Sequence, residues 1–203
     1  MSKIEVNTEQ IVRAAARKVF THKGFDGARM QDIADEAGIN KSLLHYYFRS
    51  KDKLFEAIFQ DVINTFLPPV VSILISDLPL FEKIRRFTDQ YIDILVRNPD
   101  FAGFVIHELK INPQRLLGNI KQTGVDINII KNQIEKEAEA GNIRSIKAEH
   151  FIANLISMCV FPFIARPVFI GMLNFGEDGY AQFIEERKII VSETMINALT
   201  VSR

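Results

Sequence analysis

Cysteine is almost absent from this chain: Cys159 is the only one among 203 residues, so no intrachain disulfide can form. We therefore expect a reducing compartment, namely the cytoplasm. The first ten residues, MSKIEVNTEQ, are polar and lack the apolar run of a secretory signal. Internal repeats and low-complexity segments are missing as well, and alternating strand patterns are scarce. These absences indicate an ordinary globular protein with little or no β-sheet.

Recognisable catalytic chemistry is also missing. The sequence contains no Ser/His/Asp set, paired-carboxylate constellation, phosphate-binding loop or HExxH motif. Its four histidines show no metal-ligand spacing, and they are His22, His45, His107 and His150. We therefore predict that the protein is not an enzyme and holds no metal or cofactor.

One long apolar run is present, FIANLISMCVFPFIARPVFIGML at 151–173, and its length is near that of a membrane-spanning helix. It contains Asn154 and Arg166, and an arginine at that position is costly in lipid. Pro162 and Pro167 should kink or interrupt a helix there. We expect a buried helix or helix pair and no membrane association, with a membrane span as the alternative.

Elsewhere apolar residues recur at helical spacing, which predicts an all-α fold. We expect a three-helix domain over residues 1–50 and a larger helical domain over 51–203, with helix four connecting them rigidly. About nine helices are predicted in all, at 8–23, 30–37, 41–47, 51–66, 79–97, 100–111, 123–140, 147–173 and 177–199.

The net charge of zero hides an asymmetry. Residues 1–53 hold 10 Lys or Arg against 7 Asp or Glu, whereas residues 54–203 hold 15 against 18. A modestly basic front followed by an acidic remainder indicates that any contact with a polyanion is confined to the front.

The stretch MQDIADEAGINKSLLHYYF, residues 30–48, has the layout of a helix-turn-helix. Gly38 supplies the positive φ that the sharp turn needs, and Asn40 is the N-cap candidate of the second helix, which Leu44 and Phe48 anchor. The outer face and edges then receive Lys41, Ser42, Leu43, His45, Tyr46 and Tyr47. Cations, hydroxyls and rings on a short helix suit a duplex groove. Helix-turn-helix shapes also occur in proteins that touch no DNA.

The longer run GFDGARMQDIADEAGINKSLLHYYFRSKDKLFEAIF resembles the DNA-binding region of TetR-family transcriptional regulators. The matching pieces are Gly24-Phe25, the DIADEAG turn, YYF, and the SKDKL that opens helix four. The resemblance covers about residues 8–60. It implies a homodimer that pairs through its last two helices, binds a near-palindromic double-stranded operator, and releases it when a small effector enters the C-terminal domain.

The resemblance also implies particular DNA contacts. Those carried over by position are Arg29, Gln31, Lys41, Ser42, Tyr46, Tyr47 and Lys51, the last to a phosphate. Met30, Leu43 and His45 depart from the usual family pattern, which leaves the base preference open. Leu43 could reach a thymine methyl or simply pack, and spacing does not fix the direction of His45, although both belong to the predicted DNA face.

The ligand half is less specific. Helices that surround a central cavity in such an architecture carry Phe87, Tyr91, Phe101, Phe104, His107 and Met158. Apolar walls with a few polar groups suit a largely hydrophobic ligand, while plain core packing is the alternative for each aromatic side chain. The sequence therefore predicts a ligand-released repressor. The rival interpretation is a helical lipid- or metabolite-binding protein whose front unit mediates protein contacts.

Overall fold

The computed structural model describes residues 3–201, with side chains from residue 8 onward, and contains no β-strand in that part of the chain. This confirms the predicted all-α class. The helices among the described residues are α1 (Lys3–Gly27), α2 (Met30–Ala37), α3 (Lys41–Tyr47), α4 (Lys51–Leu74), α5 (Leu80–Arg97), α6 (Phe101–Ile111), α7 (Pro113–Gln122), α8 (Asn128–Glu139), α9 (Ala148–Ile164), α10 (Arg166–Met172) and α11 (Glu177–Leu199).

Prolines account for most differences from the predicted helices. Helix α4 continues through Pro68 and Pro69 to Leu74, although the sequence predicted its end at these prolines. Pro113 opens α7, a helix that the sequence prediction missed. Pro167 stands in the first turn of α10, so the segment 147–173 is the helix pair that the sequence allowed, although Pro162 lies inside α9. A proline is tolerated in a first turn because the N–H it lacks has no intrahelical partner there.

The first helix also differs from its prediction. It begins at Lys3, so Thr8, where the sequence predicted its start, lies inside the helix. The predicted stop at Gly24 is confirmed as a break, because this residue has φ 68° and ψ 172°. Only glycine adopts a positive φ at little cost, and here it lets the chain turn toward α2.

Two compact units divide the chain. Unit 1 joins the chain up to Thr65 with the segment Gly103–Leu116, and unit 2 consists of Phe66–Ala102 and the chain from Leu117 onward. Helices α4, α6 and α7 each begin in one unit and end in the other. The first part of α4 therefore packs with the three front helices, and a segment distant in sequence joins them.

An aromatic cluster occupies part of the core of unit 1. The rings of Phe20 and Phe55 meet edge to face with centroids 5.5 Å apart. Phe104, from the distant segment, lies 6.3 Å from Phe20 and 5.3 Å from Phe55. Such ring pairs add to the stabilisation that burial provides, so α6 is held firmly against α1 and α4.

A buried carboxylate lies in the same unit. Glu108 is 2% exposed, and its Oε1 lies 3.3 Å from Arg115 Nε. Burial raises the pKa of Glu108, and the nearby Arg115 opposes that effect. Glu56 is more exposed, and a hydrogen bond from Lys53 lowers its pKa. Ionised Glu108 therefore lowers the free energy of unfolding, whereas ionised Glu56 raises it.

We expect Glu108→Gln to raise the free energy of unfolding of unit 1 at pH 8 and to leave it almost unchanged at pH 4. A folded pKa above the unfolded value means that the folded state binds more protons, so stability falls as pH rises through that window. Urea unfolding at both pH values measures this. Glu56→Gln is the matched control and should lose stability at pH 8. A destabilised Glu108→Gln protein at pH 8 would mean that the ion pair with Arg115 outweighs the cost of burial.

Helices α5, α9 and α11 form the core of unit 2. Their facing side chains are almost fully buried and include Phe87, Ile92, Phe151, Leu155, Val191 and Met195. Cys159 lies among them, and burial raises the pKa of its thiol to about 12. Burial likewise raises the pKa of Tyr91. Both groups are therefore neutral at physiological pH, and Cys159 is a packing residue rather than a nucleophile.

Within residues 3–201, two apolar segments are long enough to cross a membrane. One is α4, and the other is α9 with α10, if the two helices are counted as a single span. The pair is bent by 64°. Along α4, side chains such as Leu54, Ile58 and Val62 are fully buried in the protein. Core helices of soluble proteins pass the same test of length and hydropathy, so the two segments are weak evidence for a membrane span.

Candidate nucleic-acid interface

The turn between α2 and α3 is built as the sequence predicts. Gly38 has φ 66°, and its N–H donates to Asp35 O at 3.1 Å. The N–H of Ile39 donates to Ala34 O at 3.0 Å, which completes a Schellman-type end to α2. These two bonds satisfy carbonyls at the end of α2 and fix the direction in which α3 leaves.

Helix α3 is short but capped and anchored. Asn40 Oδ1 accepts a hydrogen bond from Leu43 N at 2.8 Å, which confirms Asn40 as the N-cap. Leu44 is fully buried and Phe48 nearly so. The N–H of Phe48 donates to Leu44 O at 2.8 Å and closes the helix. A seven-residue helix is unstable alone, so these contacts are what hold α3 in place.

The remaining side chains of α3 lie at the surface. Lys41, Ser42, Leu43, His45 and Tyr46 are exposed. Tyr46 is 73% exposed and Leu43 37%. An exposed, rigid set of one cation, hydroxyls and an aliphatic side chain can contact both phosphates and base edges.

The structure shows which neighbours Tyr47 and His45 have. Tyr47 is half-buried, and its ring meets that of Tyr46 edge to face at 5.3 Å. His45 Nδ1 lies 3.4 Å from Arg49 O, so the tautomer with hydrogen on Nδ1 can donate to that carbonyl. The sequence left the direction of His45 open. The structure places it at the exposed C-terminal end of α3.

The start of α2 carries two more of the predicted contacts. Arg29 and Gln31 are both exposed. Arg29 N donates to Asp32 Oδ2 at 3.0 Å, and Lys23 Nζ lies 3.0 Å from Asp32 Oδ1. The hydrogen bond from Lys23 has the larger effect, and together with that from Arg29 N it lowers the pKa of Asp32. Gln31 Nε2 donates to Asp35 Oδ1 at 2.7 Å, so a base contact by Gln31 would have to compete with that bond.

Lys51 has a role that the sequence did not predict. Its Nζ donates to Phe25 O at 2.7 Å and to Ala28 O at 3.1 Å. The same ammonium lies 4.3 Å from the centre of the Phe25 ring. Two of its three N–H donors therefore tie the start of α4 to the end of α1, which leaves one for a phosphate.

Arg49 is a candidate that the sequence interpretation omitted. It follows Phe48, is exposed, and forms no side-chain hydrogen bond or ion pair with another described residue. Lys53, also exposed, is paired with Glu56 at 2.8 Å. The sequence does contain a signal for Arg49, because it is a basic residue directly after the short helix. It lies two positions before Lys51, to which the family resemblance assigned the phosphate contact. Arg49 therefore joins Lys41 as a cation available to a phosphate.

The six predicted ligand residues are not all in one unit. Phe104 and His107 belong to unit 1, where the His107 ring lies 4.7 Å from that of Phe25. The unit 2 residues are Phe87, Tyr91, Phe101 and Met158. Among these, Phe87 and Tyr91 are in ring contact at 5.4 Å, whereas Met158 lines a groove at the surface of α9 and α11. Across residues 3–201 no cluster of His, Cys, Asp or Glu could hold a metal ion.

Known proteins resemble this chain in its front unit and over most of its length. The family model "Bacterial regulatory proteins, tetR family" matches residues 12–58. The regulator RutR of Escherichia coli O157:H7, an HTH-type transcriptional regulator, is 33% identical over 147 residues, which are 71% of this chain and 68% of RutR. The HTH-type transcriptional repressor NicS of Pseudomonas putida is 26% identical over 163 residues, 76% of this chain and 74% of NicS.

Solved structures extend the likeness to the whole fold. The regulator SCO4942 of Streptomyces coelicolor superposes with a TM-score of 0.69 at 15% identity, covering 95% of this chain and 98% of its own. AibR, solved in complex with isovaleryl coenzyme A and operator DNA, gives 0.62 at 17% identity and covers 77% of this chain and 85% of its own.

Proposed function

We propose that this chain, which belongs to the tetR family of bacterial regulatory proteins, is a cytoplasmic repressor that binds a near-palindromic operator as a homodimer. A small, largely hydrophobic ligand releases it from the operator. Membership in the family makes the chain a DNA-binding regulator of transcription, and one relative, NicS, is named as a repressor. The observation that carries the proposal is α3, whose anchor Leu44 is fully buried and whose outer side chains face solvent.

The proposed DNA contacts follow from exposure. Lys41, Arg49 and Arg29 are exposed cations suited to phosphates, while Leu43 and Tyr46 are placed to meet base edges. The full proposed set is Arg29, Gln31, Lys41, Ser42, Leu43, His45, Tyr46, Tyr47 and Arg49, with Lys51 offering at most one further donor.

The proposed dimer uses α9 and α11. Of the apolar residues on these helices, Ile156, Ile189 and Ile190 are exposed, at 37%, 61% and 48%. Other apolar residues of these two helices, such as Phe151 and Met195, are buried within unit 2. Exposed isoleucines on two neighbouring helices support a self-complementary four-helix pairing with a second copy.

Release by a ligand needs a path to α3. Phe104 and Arg115 belong to the segment that packs in unit 1, where Phe104 contacts Phe55 and Arg115 lies 3.9 Å from Glu56 on α4. Helix α6 starts in unit 2 and carries Phe104 into unit 1. We propose that α4 and α6 together transmit a ligand-induced shift, since the ligand must favour a state with the wrong spacing between the two α3 helices.

A mobility-shift titration with DNA from upstream of the protein's own gene tests the function. Three phosphate-binding cations per subunit make about six contacts per dimer, so affinity should fall roughly 10³-fold between 50 and 200 mM salt. DNA of the same composition with scrambled half-sites should bind much more weakly at the higher salt. Failure to bind the upstream DNA even at low salt would exclude this operator and count against the proposal.

A further inference from the structure

A groove lies where α9, α10 and α11 meet in unit 2. Its cavity volume is about 440 Å³, within the range of roughly 300–1,000 Å³ that is usual for small-molecule sites. The lining is mostly apolar, and consists of Ser157, Met158, Phe161, Pro162, Phe169, Phe183 and Arg187. Met158 is one of the residues that the sequence suggested for ligand binding.

Aromatic rings give the groove a preformed wall. The ring of Phe169 lies 6.2 Å from that of Phe161 and 5.2 Å from that of Phe183. The 64° bend between α9 and α10 brings Phe169 back toward α11. Although Phe161 is part of this wall, it is 58% exposed. The wall therefore offers apolar surface that the described part of unit 2 does not cover.

Other contacts hold α10 in this position. Arg166 forms an ion pair with Glu177, and its guanidinium lies 5.2 Å from the centre of the Tyr180 ring. Tyr180 Oη donates to Pro162 O at 3.0 Å. The end of α9 and the start of α11 are therefore tied together, so the groove does not depend on a ligand for its shape.

Arg187 differs from the other cations of this region. Three Lys or Arg residues occur between residues 148 and 199, and Arg166 is paired with Glu177 while Lys188 is paired with Asp93 and Glu185. Arg187 makes no ion pair with a described carboxylate.

The guanidinium of Arg187 has one protein contact and one unmet donor. Its Nη2 donates to Met158 O at 2.9 Å. Its Nε is buried and finds no acceptor within the described structure. Because Nε has almost no accessible surface, a ligand anion would be bound by the Nη1 and Nη2 donors, and a cation beside apolar side chains favours such an anion.

We propose that this groove binds an amphipathic carboxylate, with the carboxylate on Arg187 and the apolar tail along Phe161, Phe169 and Phe183. A guanidinium binds a carboxylate through parallel N–H bonds, and Arg187, which lines the groove, has Nη1 and Nη2 donors that the Met158 carbonyl does not use. This ligand would be the largely hydrophobic effector proposed above, and that part of the inference rests on the proposed function. Binding itself does not depend on it.

Calorimetric titration with dodecanoate and with dodecanol tests the site, because the two probes share a tail and differ in charge. The native protein should bind dodecanoate about tenfold more tightly than dodecanol, as expected for hydrogen bonds to a charged group. Arg187→Gln should remove this difference. Arg86→Gln is the matched control, since Arg86 is an exposed arginine paired with Glu82 elsewhere in unit 2, and it should keep the difference.

A second variant protects the test if Arg187→Gln does not fold. Phe161→Ala should weaken both probes by a similar factor and leave their ratio unchanged, because it shortens the tail contact only. Equal affinity of the native protein for both probes would overturn the site. An Arg187→Gln protein that still prefers dodecanoate would also overturn it. If the native protein does not bind dodecanoate and Arg187→Gln shifts the monomer–dimer equilibrium, the groove is occupied by a second copy of the chain instead.

Operator binding separates the two proposals. If dodecanoate binds through Arg187 and releases operator DNA in a mobility shift, both stand. If it binds through Arg187 and the operator complex is unchanged, the site stands and its role as the effector site fails. If the ligand-free protein ignores the upstream DNA, the operator proposal loses its support while the calorimetry still decides the site.

Discussion

Leu44→Ala should lower the free energy of unfolding of unit 1 by about 2–5 kcal/mol, the usual cost of emptying a fully buried leucine site. Leu44 is 0% exposed, and with Phe48 it anchors a helix only seven residues long. Losing that anchor releases α3 from the unit, so operator affinity should disappear with it. Hydrogen exchange of the α2 and α3 amides measures the opening free energy without assuming that the two units unfold together.

Leu43→Ala is the matched control, because the two leucines are neighbours on the same helix. Leu43 is 37% exposed, and truncating it should change stability by less than about 0.5 kcal/mol. Any effect on operator affinity would then come from the DNA face rather than from folding. Equal loss of amide protection in both variants would show that Leu44 does not anchor α3.

The turn region was the most predictable part of the molecule. The roles of Gly38, Asn40 and Leu44 follow from short-range rules: a positive φ, an N-cap and a helical period. Each rule needs only a few neighbouring residues. For that reason the sequence placed the turn, the cap and the buried side of α3 correctly.

Proline positions were less predictable. Pro68 and Pro69 lie inside α4, and Pro113 begins α7. A proline only removes one N–H and fixes one φ. Whether it ends a helix, bends it or starts the next depends on the packing around it. The sequence prediction treated prolines chiefly as helix ends and so missed α7.

Long-range packing was not predictable at all. The segment Gly103–Leu116 belongs to unit 1, and nothing in its own residues indicates that Phe104 meets Phe20 and Phe55. The same holds for Arg187, which has no carboxylate partner among the described residues, whereas Arg166 and Lys188 each have one. Such features depend on which helices are neighbours.

Lys51 is the clearest case of a residue whose role changed. Its resemblance to a family position predicted a phosphate contact, yet its ammonium donates to Phe25 O and Ala28 O. Lys51→Met keeps the aliphatic chain beside the Phe25 ring and removes all three donors. We expect it to lower the stability of unit 1 by about 1.5–3 kcal/mol, because two carbonyls lose a charged donor.

Lys41→Met serves as the control, because it should change DNA binding and leave the stability of unit 1 unchanged. Lys41 is exposed and its side chain forms no hydrogen bond or ion pair with another described residue, so its removal should leave amide exchange in unit 1 unchanged. The slope of log affinity against log salt should become shallower by about 0.9 for each phosphate that the protein no longer neutralises. The two lysines therefore separate folding from DNA contact within one pair of measurements.

The salt slope decides between the two roles of Lys51. A structural lysine should leave the slope of the folded Lys51→Met protein nearly unchanged, since its donors point to carbonyls rather than to phosphates. If the slope instead falls as it does in Lys41→Met while amide exchange stays native, then Lys51 binds phosphate as the resemblance implies. A fall in both would mean that its third N–H reaches the DNA while the other two hold α4 against the end of α1, so that one side chain fixes both the fold and the position of the duplex.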